Sequence, residues 1–166
     1  MPKVTLPDGS VREYEGEITA LQVAEDIGSR LAKAALGCKI NGELNDIATP
    51  IKDDCELAII TSKTREGELD ADGLYLLRHS AAHVMAEAIQ RVIPGVQLVY
   101  GPPLDNGFYY DMAVPGDRPL STDDFAAIEA EMANIVKENR PFTRYELGPD
   151  EGMAKLKDEG SKFKLD

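Results

Sequence analysis

His79-Ser-Ala-Ala-His83 carries both histidines of the chain, four residues apart. On a helix, positions i and i+4 lie one turn apart on one face, so both imidazoles can address one small volume. Such a pair can share a metal, as in His-x-x-x-His zinc sites. It can also hold a water or a substrate hydroxyl, one ring acting as base and the other orienting it. A metal would need further ligands. No cysteine follows Cys55, so only carboxylates such as Asp111 or Glu87 are available in this half. No glutamate follows His79 directly, which excludes the metalloprotease pattern. By spacing alone, core-edge packing is the commoner role for such a pair.

The elements that must position the pair follow from periodicity. Leu74, Leu77, Ala81, Val84, Ala88 and Ile89 recur at helical spacing, and Pro94-Gly95 ends the run. Val96 to Val99 then reads as a strand. A loop punctuated by Gly101-Pro102-Pro103 and Asn106-Gly107 leads into a second strand, Phe108 to Asp111. Ser121 opens a further helix with Asp123 and Asp124 suited to its dipole, and Phe125, Ile128, Met132, Ile135 and Val136 as its buried face. Phe142 to Leu147 is expected as a strand and Asp150 to Asp158 as a short acidic helix.

The first part of the chain reads differently. Val4-Thr-Leu and Val11 to Glu15 form a hairpin about the Pro7-Asp-Gly9 turn. Thr19 is the expected N-cap of a helix through Leu21, Val23, Ala24, Ile27, Leu31 and Ala34, with Gly37 as its stop or a break at Gly28-Ser29. Asn41-Gly42 is a hairpin turn, and Glu56 to Thr61 is an apolar strand suited to a sheet centre. This order of elements, closing on a central strand, predicts a ubiquitin-like β-grasp. The polar stretch from Ser62 to Gly73 is the expected linker, with the boundary near residues 62–68.

Composition narrows the class. The 166 residues suffice for one ordinary domain or two small ones, and 43% hydrophobic content is that of a folded protein. No apolar run approaches the roughly 18–20 residues of a membrane span. Met1-Pro-Lys-Val-Thr-Leu-Pro has no apolar signal core, so a cytoplasmic location without membrane partners is expected. Cys38 and Cys55 form no Cys-x-x-Cys pair and are expected as small core residues. Residues 1–66 carry 8 basic and 12 acidic groups, net −4, and residues 67–166 carry 10 and 18, net −8. Neither half has the basic excess of an autonomous nucleic-acid binder, so any such contact must be local.

Two resemblances add to this reading. Val4-Thr-Leu-Pro-Asp-Gly9, the helix after Thr19, Lys39-Ile-Asn-Gly42 and the closing strand resemble a TGS domain. That β-grasp module is shared by threonyl-tRNA synthetases, some GTPases and stringent-response synthetases. Arg78-His-Ser-Ala-Ala-His83 followed by Tyr100-Gly-Pro-Pro-Leu-Asp-Asn-Gly-Phe-Tyr-Tyr-Asp111 resembles the N-terminal region of bacterial-type threonyl-tRNA synthetases. The resemblance implies an α+β fold, with a TGS domain over residues 1–63 and the first part of an editing domain over 64–166. In that family the editing domain hydrolyses serine wrongly attached to threonine tRNA. His79 and His83 would position the attacking water or the terminal ribose, and Tyr109 and Asp111 would line the pocket. Arg30, Lys33 and Lys39 would be the local basic contacts to the tRNA acceptor arm.

The family also departs from this chain. Its editing domain continues to a Cys-x-x-x-His element, and then to a catalytic core using ATP, Mg and Zn and an anticodon-binding domain. The resemblance therefore implies an N-terminal fragment that is inactive alone and holds no metal or cofactor, its parent a homodimer through other domains. Two other readings remain open: a TGS-containing regulatory module without a reaction, and a small metal-dependent hydrolase using the histidine pair.

Overall fold

The computed structural model describes residues 1–117 and 119–165. The chain packs as two compact units, Met1–Leu77 and the residues from Arg78 onward, the division falling inside one helix.

The first unit is built on a five-stranded sheet. β1 (Lys3–Thr5) and β2 (Val11–Glu13) form an antiparallel hairpin, with Val4 opposite Arg12. Its turn is closed by Leu6 N–H donating to the Ser10 carbonyl at 2.8 Å, and Gly9 supplies the positive φ of 81°. β3 (Ile18–Thr19) leads into α1 (Ala20–Ile27). Thr19 and Gln22 form a reciprocal capping box, the Thr19 N–H donating to Gln22 Oε1 at 2.9 Å and the Gln22 N–H donating to Thr19 Oγ1 at 3.3 Å.

The helix does not run through to Gly37. It breaks at Gly28, and α2 (Ser29–Ala34) passes directly into β4 (Ala35–Ile40). Gly37 lies inside that strand, where the ladder to its neighbour shifts register. Asn41 and Gly42 both have positive φ, 51° and 86°, and form the two-residue turn into β5 (Glu43–Asn45). β6 (Pro50–Ile51) pairs with β3. β7 (Cys55–Thr61) takes the sheet centre, parallel to β1 and antiparallel to β4, giving the order β2-β1-β7-β4-β5. Its residues alternate, Cys55 and Leu57 buried and Glu56 exposed, so one face of the sheet closes on Val4, Ile18, Ala20, Val23, Cys38 and Ile51. This is the expected β-grasp. Both cysteines are buried and free, and burial pushes the Cys38 thiol up to about 11.

α3 (Ala71–Val92) opens on Asp70, whose Oδ1 accepts the Gly73 N–H at 2.8 Å. The expected apolar stripe is buried toward its end, at Ala88 and Ile89, but not at Leu77. Leu77 is 42% exposed, while Ala82 and Ala86 are buried. Small side chains let a neighbouring surface approach closely, and a pattern weighted by bulk overlooks them.

In the second unit, β8 (Gln97–Leu98) pairs with β11 (Met112–Ala113), and β9 (Pro103–Leu104) with β10 (Gly107–Phe108). The core joins Ala88 and Ile89 of α3 to Val96 and to Ile128 and Ile135 of α4 (Thr122–Glu138). α4 carries a capping box between Ser121 and Asp124 and ends at Asn139 in the left-handed conformation. Phe125 and Val136, expected in its buried face, are 52% and 66% exposed, flanking the stripe of Ile128, Met132 and Ile135. Phe142 to Leu147 forms no strand and is exposed throughout, since no ladder partner meets it among the described residues. α5 (Pro149–Asp158) and a 3₁₀ turn at Lys162–Lys164 follow. Among the described residues, no helix is long and apolar enough to cross a membrane.

Candidate functional site

α3 does bring the two imidazoles together. The His79 and His83 rings stack with centroids 4.8 Å apart and planes 29° from parallel. His83 opens on a cavity of ≈300 Å³ whose other walls are Val84 and Glu87 of α3, Ile135 and Val136 of α4, and residues 139–142. Both histidines are exposed, and the partial desolvation of His83 against the cavity, then the like charge of His79 and of Lys164, lower its pKa from 6.5. A depressed imidazole is neutral near pH 7 and so able to accept a proton.

The cavity owes its far wall to ion pairing. Arg140 Nη2 donates to both oxygens of Glu87 at 2.6 and 2.8 Å, and Arg140 Nε lies 2.7 Å from Glu138 Oε2. Arg91 donates to Glu87, Glu131 and Glu138 at 2.7, 2.8 and 2.7 Å. One exposed pair would add little, but a network of five groups fixes where the chain after α4 must run. Its guanidinium hydrogen bonds, Arg140 foremost, hold the Glu87 carboxyl below its usual range. Apart from Glu87, weighed only as a metal ligand, these ion-pairing residues were missed as site formers, although His79, His83, Glu87 and Arg91 form one i, i+4 row that the sequence displays. Their partners on α4 carry no local signal.

The ion pairs also bear on metal binding. Glu87, one of two carboxylates open to that role, is committed to two guanidiniums. Among the described residues, no three His, Cys, Asp or Glu side chains converge as a metal site. The donor set therefore does not fit the metal-hydrolase reading.

The aromatic segment is arranged differently from the expected strand. Only Gly107–Phe108 is in β10, and Met112 begins a separate strand that pairs with β8. Between them the Asp111 N–H donates to the Tyr100 carbonyl at 2.7 Å, and the Asp111 carbonyl accepts from Val99 N–H at 2.9 Å. Tyr110 lies against Gly101, where a Cβ would meet its ring at 2.2 Å. Tyr109 is 43% exposed, and neither it nor Asp111 lines the cavity at His83. Arg78 ties this segment to α3, Nη1 donating to the carbonyls of Leu104 and Asp105 at 3.2 and 2.6 Å.

In the first unit, Arg30 and Lys33 are exposed on α2. Lys39, on β4, is ion-paired with Asp72 at 2.5 Å. Its charge is thus partly committed within the unit.

The lowered His83 pKa predicts a pH dependence. The unfolded chain takes up the proton first, so stability from this group is intact above pH 6.5 and is lost as pH falls through 6.5 toward the folded value. By proton NMR, His83 should titrate below 6.5 and move back toward it in His79→Asn, with burial keeping part of the shift. Titration at or above 6.5 would contradict the arrangement.

Comparison with known proteins is consistent across the whole chain. Residues 2–61 match the TGS domain family. A threonine–tRNA ligase of Paramagnetospirillum magneticum is 48% identical over 166 residues, 100% of this chain and 25% of the relative. That of Novosphingobium aromaticivorans is 45% identical over 164 residues, 99% of this chain and 24% of its own. That of Burkholderia vietnamiensis is 45% identical over 166 residues, 100% of this chain and 25% of its own. The chain thus spans about a quarter of the length of these curated relatives, corresponding to their N-terminal regions.

Proposed function

We propose that this chain serves as the N-terminal part of a threonine–tRNA ligase, pairing a TGS domain with the first part of an editing domain. The proposed reaction is hydrolysis of serine from mischarged threonine tRNA. Serine is threonine without one methyl, and a pocket gains only about 1–3 kcal/mol from one such group. A second, hydrolytic site removes the residual error.

The observation that carries the proposal is the stacked His79–His83 pair at a cavity, with His83 held toward its neutral form. In the proposed step water attacks the aminoacyl ester carbonyl. His83 accepts the water's proton, the bond from the carbonyl carbon to the ribose oxygen breaks, and the His83 imidazolium returns its proton to that oxygen, releasing the ribose hydroxyl and the free amino acid. His79 holds the water or the terminal ribose. Tyr109 and Asp111 are assigned to substrate contact from the segment that Arg78 secures. Arg30, Lys33 and, less freely, Lys39 are assigned to the tRNA acceptor arm. The whole ligase would act in the cytoplasm as a homodimer, joining threonine to tRNA with ATP, Mg and Zn in a core outside these residues. No step here passes through those groups.

Within residues 1–166 one His pair stands without the second Cys-x-x-x-His element, so the chain alone should not hydrolyse seryl-tRNA. Incubation of the purified chain with seryl-tRNA tests this. Release at the rate of spontaneous hydrolysis is expected, and rapid release would refute it.

A further inference from the structure

Glu87 stands one helical turn beyond His83 on α3, and both side chains line one cavity. At i, i+4 a carboxylate and an imidazole are neighbours, and a free carboxylate there would pair with the ring and favour its protonated form. The structure turns the Glu87 carboxylate to guanidiniums instead. Arg140 Nη2 donates to both of its oxygens, at 2.6 and 2.8 Å, and Arg91 Nη2 donates to Oε1 at 2.7 Å. The charges felt by His83 are cationic ones, from His79 on α3 and Lys164 in the 3₁₀ turn. The segment after α4 presents Arg140 to the cavity, and Glu131 and Glu138 of α4 reach Arg91. Arg91 is thus shared among three carboxylates, and Arg140 is the second cation that balances them.

We propose that Arg140 is a positioning residue for His83: its bridge keeps the Glu87 carboxylate off the imidazole one turn away, leaving the ring free to accept a proton. Arg140 acts through Glu87 and not on the reacting atoms. Without it, Arg91 alone faces Glu87, Glu131 and Glu138, and the nearest further cation along α3 for Glu87 is a protonated His83. The Arg140 and Glu87 side chains are 52% and 35% exposed, so replacing either opens no buried hole, and solvent screens the electrostatic effect to a modest size. A purely mechanical tie makes a different forecast. Loss of either partner would then loosen the same wall and change His83 alike. The inference rests on the proposed function only for the reaction that the proton serves.

The test is imidazole NMR titration at low salt of the 166-residue chain, Arg140→Ala, Glu87→Gln and the double variant. Arg140→Ala should raise the His83 pKa by roughly 0.3–0.5 of a pH unit, the scale of an i, i+4 ion pair. Glu87→Gln should not raise it, and adding Arg140→Ala to Glu87→Gln should leave it there. An unmoved His83 in Arg140→Ala would overturn the inference. Equal rises in Arg140→Ala and the double variant would overturn it in favour of direct repulsion by Arg140. Equal rises in Arg140→Ala and Glu87→Gln would overturn it in favour of a mechanical tie. Within a complete threonine–tRNA ligase carrying these residues, Arg140→Ala should move the acid limb of seryl-tRNA clearance up by the same amount, with threonine charging unchanged. If the titration moves and the clearance profile does not, the bridge stands and His83 loses its part in the proposed reaction. If clearance requires His83 while its titration ignores Arg140, the proposed function stands and the bridge falls.

Discussion

Gly73→Ala should destabilise the first unit by about 3 kcal/mol, the upper part of the usual range for overpacking. Helix propensity alone predicts the opposite sign, since alanine is favoured over glycine inside a helix by about 1 kcal/mol. Packing decides between them. A Cβ at Gly73 would lie 2.2 Å from the Thr61 carbonyl oxygen, 3.0 Å from its carbon and 3.3 Å from the Ser62 Cα. All three are backbone atoms, so no side-chain rotation relieves the clash. The first turn of α3 must move off the end of β7. That would strain the bond from the Gly73 N–H to Asp70 Oδ1, now 2.8 Å, which caps the helix. Amide exchange along β7 in urea reads the result. Faster exchange at lower urea is expected, and protection equal to or above that of the parent chain would show that the helix start is not held there.

Sequence and structure agree most closely where the determinants are local. The Asn41-Gly42 turn, the Thr19 cap and the central apolar strand β7 each depend on a few adjacent residues, and each forms as expected. The i, i+4 spacing of His79 and His83 likewise dictates that the rings meet. Disagreement arises where a distant partner decides. Phe142 to Leu147 has strand-forming residues but no ladder among the described residues, so propensity has nothing to act on. Leu77 reads as core by size but is 42% exposed, whereas Ala82 and Ala86, outside the expected stripe, are buried along with Ala88 and Ile89 within it. The wall of the His83 cavity depends on Arg140 reaching back to Glu87, 53 residues earlier, and no local pattern encodes that pair. Gly73 and Gly101 read as linker end and loop; the structure uses both for close approach.

The other large effect concerns the histidine pair within a complete ligase. Residues 1–166 align with a quarter of the Paramagnetospirillum magneticum enzyme at 48% identity, which makes that quarter the segment to exchange in a chimera. Removing a positioned proton acceptor and its partner typically costs roughly 10²–10⁴ in rate. His83 supplies the proton acceptor in the proposed step, and the stacked His79 holds its partner water or ribose. Neither ring takes part in the proposed charging of threonine, so that activity serves as the internal control for folding. The decisive measurement is clearance of seryl-tRNA by the chimera and by its His79→Ala/His83→Ala form. The account predicts that the chimera clears it and that the double variant is slower by roughly 10²–10⁴-fold, with threonine charging unchanged. A double variant that clears seryl-tRNA as fast as the intact chimera would contradict it.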